Sequence, residues 1–507
     1  MNGEVLMPNL TSLVVDDCGG LRFLFSSSMA RSLAQLKTLT ISRCQIMEEI
    51  VSTNESSEED TNHNMFSQLQ DLSLQYLPNL TRFCSARRSI NFHSLEILHL
   101  EDCSKLETFV LDPMSTNITI NKATEEIRDS TENIGTNAQY FLFDEKVRFP
   151  SLESLIIRDV PVLRTIWDNR LAPNSFCKLK KVEVWRCNTL INIFAPSMMG
   201  RLNALDTLQI QECKSLQAVF EQTYETTKLF MNGEGNPFPS LETLCLDTEI
   251  WYEAHDPLPA ELFINLKAIQ FSCAHPQSFH FVQKLHNLEK LGVWGVPWKE
   301  IFVYEGTSSG QIDAVGTTLP RIKNLSLRKM EELMHLGNDN SELIFPNLEI
   351  LYVYDCGRLK NLTSSTISFH NLTTLHVLGC MGLKYLVTYS VAKCLHQLKT
   401  LQVCSCESIT EIVAINGDEE DSGNNYEITF RSLQHLELSN LPSLRGFCSS
   451  GNCTVRVPSL NSLNVFGCRI KLEISPDGSL IQSGSRSERQ QITEEVEEEK
   501  EKEKEED

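Results

Sequence analysis

One phrase of apolar and polar positions recurs along the whole chain, and it is clearest at Leu398-Lys-Thr-Leu401-Gln-Val403-Cys-Ser-Cys406. Written as a pattern it is L-x-x-L-x-[LIV]-x-x-C. Leu10, Leu13, Val15 and Cys18 make one copy, and Leu95, Leu98, Leu100 and Cys103 another. Leu205, Leu208, Ile210 and Cys213 make a third, and Leu348, Leu351, Val353 and Cys356 a fourth. Sixteen copies occur, some without the Cys, with first positions at 10, 36, 69, 95, 152, 179, 205, 241, 266, 288, 322, 348, 372, 398, 433 and 460. Most spacings fall between 22 and 36 residues.

Period 2 explains the centre of the phrase. Positions four and six of a short strand point to one face, and positions five and seven to the other. One repeat cannot bury its own Leu and Val, but stacked neighbours bury them in a continuous core. The pattern therefore predicts an α/β leucine-rich-repeat solenoid. It would be curved, with a single parallel β-sheet on the concave face and short helices and irregular loops on the convex face. One strand per repeat should begin within a few residues of the sixteen positions. The ninth residue turns the chain inward, where a Cys can sit among apolar groups and offer its S–H to a carbonyl.

The solenoid is expected to span 1–481 as about sixteen repeats. A longer insertion runs from about Asp112 to Lys146 and is rich in Thr, Asn and Glu. It and the acidic stretches Glu55–Asp60 and Asp418–Asp421 lack apolar periodicity and read as solvated loops. Residues 482–507 form an acidic tail expected to be disordered. The first repeat begins by Leu10 with no polar capping unit before it, so a further segment upstream is expected. Between the first two repeats, Ser28 is the expected N-cap of a one- or two-turn helix. Related phrases return at 193–205 and 386–398, and residues 36–107 and 398–473 read as an internal duplication. Leu77-Pro78, Val160-Pro161 and Leu441-Pro442 place proline just after a strand, where it blocks further pairing.

Charge and cysteine usage narrow the setting. The net charge is −22, with 67 acidic against 45 basic residues, which argues against broad nucleic-acid binding. No apolar run approaches 18 residues, so no membrane span is expected. The opening residues carry no basic n-region and no long apolar stretch, so no secretory leader is read. There are 17 cysteines, an odd number. Nine hold the ninth position: Cys18, Cys44, Cys103, Cys187, Cys213, Cys356, Cys380, Cys406 and Cys468. A buried column of thiols points to a reducing, cytoplasmic setting rather than a disulfide framework. Eight Asn-x-Ser/Thr sequons feed the alternative of an extracellular receptor-like ectodomain. Three of them, at Asn9, Asn79 and Asn371, fall out of the repeat itself.

Little in the sequence points to catalysis. Cys394, His396, Cys404 and Cys406 have zinc-binding side chains, but their spacing matches no standard site, and position seven should turn Cys404 outward to solvent. Acidic pairs such as Asp16-Asp17 and Glu101-Asp102 sit at exposed positions seven and eight. No enzyme activity, cofactor or metal is expected.

Residues 28–51, with Ser-Met-Ala-Arg-Ser-Leu-Ala-Gln-Leu-Lys-Thr-Leu, and 149–155, Phe-Pro-Ser-Leu-Glu-Ser-Leu, resemble the leucine-rich repeats of plant disease-resistance proteins. More narrowly, they resemble the coiled-coil, nucleotide-binding, leucine-rich-repeat immune receptors. The resemblance covers residues 1 to about 475. The chain has no Gly-x-x-x-x-Gly-Lys-Ser/Thr, so the family's nucleotide switching does not carry over. The resemblance implies recognition of pathogen effectors or guarded host proteins in innate immunity, or contact with a receptor's nucleotide-binding domain. On this reading the chain is a fragment or truncated relative of such a receptor. A ubiquitin-ligase substrate adaptor is a third class, and it would need an F-box-like helical segment before the repeats.

Position seven lines the concave face as one column, because strands stack at roughly 5 Å. Its early members are acidic or polar; its later ones include Trp294, Arg328 and Tyr354. Large exposed rings beside Arg have the composition of an interface hot spot. The expected protein-binding patch is therefore Trp294, Arg328, Tyr352, Tyr354, His376 and Leu378. The bland alternative is that these rings lie flat on one another. The acidic early part, with Asp16, Asp17, Glu101 and Asp102, would steer a basic partner.

Overall fold

The computed structural model describes residues 7–52, 65–86, 89–111, 141–221, 236–247, 263–272, 282, 284–297, 321–336, 346–362, 369–415, 426–448 and 453–484. The two acidic loops, most of the 112–146 insertion and nearly all of the C-terminal tail lie outside them. The chain divides into two compact units, 1–271 and 272–507.

In the first unit, nine repeat strands form a parallel sheet, from Ser12–Asp16 through Ile97–Glu101 and Lys181–Trp185 to Ala268–Ser272, whose last residue crosses the boundary. In the second unit, seven more run parallel from Lys290–Trp294 to Ser462–Phe466. Every strand begins two residues after its predicted first position and ends at position seven. The register is zero from Ser12–Asp16 to Thr243–Asp247 in the first unit and along all seven strands of the second: Leu13 faces Leu39, Leu39 faces Leu72, and Leu72 faces Leu98. Equal positions therefore form columns, and the Leu and Val of positions four and six are buried in both units, except Leu13 in the first repeat and Leu463 and Val465 in the last, which are half-buried.

Position eight shows how each strand is ended. Asp17, Arg43, Tyr76, Asp102, Asp159, Arg186, Glu212, Lys329, Asp355, Ser405 and Asn440 have positive φ there, as do Gly295, Gly379 and Gly467. The other two repeats place position eight at 248 and 273, outside the described residues. One left-handed residue breaks the ladder and swings position nine inward, at a cost of roughly 1–2 kcal/mol for a residue with a Cβ.

All nine position-nine cysteines direct Sγ at the carbonyl of position seven, from 3.3 Å for Cys44 to Ser42 to 3.6 Å for Cys18 to Asp16. Seven are buried. Cys18 and Cys468 are only half-buried, contrary to the uniform column expected, because they belong to the first and last repeats of the sheet, which among the described residues are stacked on one side only.

Behind the sheet, the first unit holds a line of rings that the leucine pattern does not reveal. Phe25, Phe66, Phe83, Phe109, Phe149, Phe176, Trp167, Phe194, Phe220, Phe238 and Phe263 follow one another with centroid separations of 4.7–6.4 Å. Trp167 keeps its one polar atom satisfied by donating Nε1–H to Ile193 O at 2.8 Å. The signal was present in the sequence, since Phe stands three residues before the first Leu at 66, 92, 149, 176, 238 and 263.

The flank opposite the sheet is more regular than the loops expected there. Short parallel ladders join successive repeats, such as Phe25–Ser26, Glu49–Ser52, Arg82–Ser85 and Val110–Leu111 in the first unit. Tyr385–Thr388, Glu411–Ala414 and Gly446–Cys448 do the same in the second. The predicted helix is Ser27–Ser32, but its cap is Ser26, whose Oγ accepts from Met29 N at 3.2 Å; Ser28 lies within the first turn. The related phrases fold as a 3-10 turn, Pro196–Met198, and a helix, Tyr389–Cys394.

The last repeat is followed by an antiparallel hairpin, Ile470–Ile474 with Leu480–Gly484, which the repeat pattern does not foretell. Gln482 from this hairpin donates to Arg445 O at 2.7 Å and accepts from Phe447 N at 3.1 Å. Its amide satisfies the edge strand Gly446–Cys448 as a further strand would, which protects that edge from wrong pairing.

Candidate protein-recognition surface

The patch lies wholly in the second unit, on four adjacent strands: Lys290–Trp294, Asn324–Arg328, Ile350–Tyr354 and Thr374–Leu378. Zero register sets Trp294 beside Arg328, Arg328 beside Tyr354, and Tyr354 beside Leu378. It also sets Tyr352 beside His376. All six predicted residues are thus brought together without any loop.

The rings consolidate one another. Tyr352 and Tyr354 stack with centroids 5.9 Å apart and planes 13° apart. His376 meets Tyr352 edge-on at 5.0 Å. Arg328 lies 5.3 Å over the Tyr354 ring, and Lys329 lies 5.5 Å over Trp294. Both tyrosines, Trp294 and His376 are half-buried, whereas Arg328 and Leu378 are exposed, Leu378 at 38%. The bland reading is therefore part of the truth: the rings do lie on neighbours. What remains is a firm aromatic platform with an exposed aliphatic side chain and a cation on its rim.

Electrostatics distinguish this platform from its surroundings. Among the described residues, no carboxylate pairs with Arg328. Burial lowers the pKa of His376, with Glu437 opposing, so the ring is held neutral near pH 7. Its Nε2 is shielded and has no partner among the described residues. Burial, with Tyr352 adding to it, raises the Tyr354 phenol above its ordinary range.

A second ring-and-cation cluster lies in the first unit. Trp185 sits between Arg158, at 5.6 Å, and Arg186, at 4.6 Å. Here the charges are already answered. Arg158 and Lys181 both pair with the buried Glu183, and Arg186 donates to Glu212 at 2.8 Å. The column-seven sequence held this signal, because Trp185 is flanked by Arg158 one repeat earlier and followed directly by Arg186. Saturated cations leave it less to offer a partner than Arg328 does. The acidic stretch differs from a bare negative face too: Arg43 pairs with Asp16, while the His99 ring, its pKa lowered by burial, lies 3.1 Å from Glu101 without answering its charge.

Cys404 departs from expectation. It is 6% exposed rather than open, covered by its column neighbours Leu378 and Ser439 and directed at Glu437 Oε1 at 3.7 Å. Position seven faces the concave side, but Cys404 stands beside Leu378 and the equally buried Ser439, and short side chains in the column are overgrown by the longer ones around them. Cys394 lies on the flanking helix with Sγ at 3.4 Å from Ser390 O, Cys406 lies in the interior column, and so the four candidate metal ligands are not assembled. Among the described residues no helix is long and apolar enough to cross a membrane.

Residues 2–122, 151–248, 240–368 and 362–474 match a family profile described as "Plant disease resistance protein RPS2-like, leucine-rich repeats". No curated protein matches the chain. Among solved structures, the functional domain of InlJ from Listeria monocytogenes, described as including a cysteine ladder, is similar at 12% identity. It covers 90% of this chain and 82% of its own, with a TM-score of 0.25. The plant peptide hormone receptor RGFR1 in complex with RGF2 is similar at 13% identity over 88% of this chain and 80% of its own, with a TM-score of 0.20. At such scores neither likeness carries weight for function.

Proposed function

The chain belongs to the RPS2-like leucine-rich-repeat family of plant disease-resistance proteins, and from that premise we propose that it is a protein-recognition module of plant innate immunity. Its partners are pathogen effectors, guarded host proteins or a receptor's nucleotide-binding domain, met in the cytoplasm. The contact is made by the concave patch of Trp294, Arg328, Tyr352, Tyr354, His376 and Leu378. The observation that carries this reading is the juxtaposition of a prestacked aromatic platform with an arginine that lacks a carboxylate among the described residues. Rigid rings lose little entropy when a partner covers them, and central aromatic and Arg anchors dominate binding energy. The module acts by binding alone, with no catalytic step and no cofactor.

Proximity labelling in plant cells tests it, with wild type compared against the Trp294→Ala/Tyr354→Ala double variant and a Trp185→Ala control. Proteins labelled by wild type and control but lost from the double variant support the patch. Equal labelling by all three removes it.

A further inference from the structure

The second unit repeats an arrangement of the first with one charged group replaced. Lys181–Trp185 and Lys290–Trp294 share a layout on the concave face, with Lys at position three and Trp at position seven. In each, an Arg stands in register beside the Trp: Arg158 on the preceding strand in the first unit, Arg328 on the following strand in the second. Both guanidinium groups lie over a ring, Arg158 at 5.6 Å from Trp185 and Arg328 at 5.3 Å from Tyr354.

Position five differs. In the first unit it is Glu183, whose carboxylate is the centre of the cluster. One oxygen accepts from Arg158 Nε at 2.8 Å, and the other lies 2.9 Å from Lys181 Nζ. In the second unit position five is Gly292, half-exposed, with Ser326 beside it in register. Neither supplies a carboxylate. Lys290 and Arg328 are both exposed, and neither forms an ion pair among the described residues. Other cations of the same repeats are answered: Lys323 lies 3.9 Å from Glu289, and Arg358 donates to Glu332 at 2.6 Å. In a chain of net charge −22, two such cations beside stacked rings are complementary to an anion from outside. Glu183 shows which anion this combination of Lys and Arg accommodates.

We propose that the place over Gly292, between Lys290 and Arg328, receives an Asp or Glu side chain of a protein partner, as Glu183 fills the equivalent place in the first unit. The inference rests on the reading of the concave patch as a protein-binding surface, and it names what the partner carries there. The acidic residue stands next to a large apolar one, because Trp294, Tyr354 and the exposed Leu378 follow one another beside the cations on the same face. Charge then selects the partner and sets its orientation, while the rings supply the apolar contact.

The test is selection of binders from a random peptide library displayed on phage, with the full wild-type chain as bait. Synthetic copies of the enriched peptides are then titrated against wild type, Gly292→Glu, Lys290→Gln/Arg328→Gln and Trp294→Ala/Tyr354→Ala, with melting temperatures recorded. Gly292 is a strand residue without positive φ, so Glu is accommodated there, and the exposed Lys290 and Arg328 can be replaced without disturbing the core. Wild type is expected to enrich peptides with Asp or Glu next to an aromatic or aliphatic residue. Changing that acid to Asn or Gln should weaken binding about 10–100-fold. A similar loss is expected in Gly292→Glu, whose own carboxylate occupies the place, and in Lys290→Gln/Arg328→Gln. Peptides that lack an acid, or that bind both of these variants as tightly as wild type, overturn the inference; if they are still lost from Trp294→Ala/Tyr354→Ala, the patch itself stands. Full-strength binding to Trp294→Ala/Tyr354→Ala removes the patch, and the inference with it. Absence of any enrichment on wild type overturns the inference as well.

Discussion

At the scale of single residues, burial rather than residue type decides behaviour. Burial pushes the thiols of Cys103 and Cys187 up to about 12, so they should remain unmodified by maleimide in the folded protein. Cys177, exposed, should be labelled first, and Cys18 and Cys468 should follow faster than Cys103. Mass spectrometry of partly labelled protein gives the order, and early modification of Cys103 would contradict it. Cys404 was legible as a concave residue but not as a covered one, because exposure at position seven depends on the size of the neighbours and not on the pattern. It should label slowly, as burial raises its pKa. His376 is the pH-sensitive member of the patch. Its folded pKa is depressed, so its contribution to stability is complete above the unfolded value near 6.5 and is lost as pH falls through that value toward the folded one. NMR titration, with the resonance assigned by His376→Gln, should give a midpoint below 6.5, and a midpoint above it would contradict this account.

At the scale of one element, the repeat strand and its left-handed exit account for most of the architecture. The positions of all sixteen strands were legible, because period-two burial leaves no freedom of register: a one-residue slip would expose every Leu. The left-handed exit was not, because residues as different as Asp17, Arg43 and Tyr76 adopt it and no composition marks it. Gly379 marks it most plainly, with φ +69° and a would-be Cβ at 2.3 Å from Asp355 Oδ1. Gly379→Ala should therefore lower stability by about 1–3 kcal/mol through backbone strain and this clash, measured by denaturant unfolding. An unchanged midpoint would show that the turn can relax. The hairpin that ends the repeats was equally hidden, since it replaces a missing strand with the single side chain of Gln482. Gln482→Ala leaves two backbone groups of the edge strand without their partner. Amide exchange at Phe447 should then accelerate roughly 5–10-fold, for a loss near 1 kcal/mol.

At the scale of the whole molecule, the stabilising core and the proposed recognition surface are made of different residues. The ring line in the first unit is core: Phe149 is fully buried and touches Phe92, Phe109, Phe143 and Phe176. Phe149→Ala should cost about 3–5 kcal/mol of unfolding free energy with no direct effect on the concave patch. The patch in the second unit should behave in the opposite way. Its residues were legible because zero register turns one sequence column into one surface column; its stacking geometry, and the lack of a carboxylate paired with Arg328 among the described residues, required the three-dimensional arrangement. The most direct test of the recognition account is the affinity for a partner identified by labelling, measured by titration calorimetry for wild type, Trp294→Ala and Tyr354→Ala, with melting temperatures recorded alongside. The account predicts that each substitution weakens binding by about 1–3 kcal/mol, or roughly 5–150-fold, while Tyr354→Ala costs the fold only about 1 kcal/mol from its lost ring contacts. Unchanged affinity in both variants, or loss of binding only together with unfolding, would contradict it.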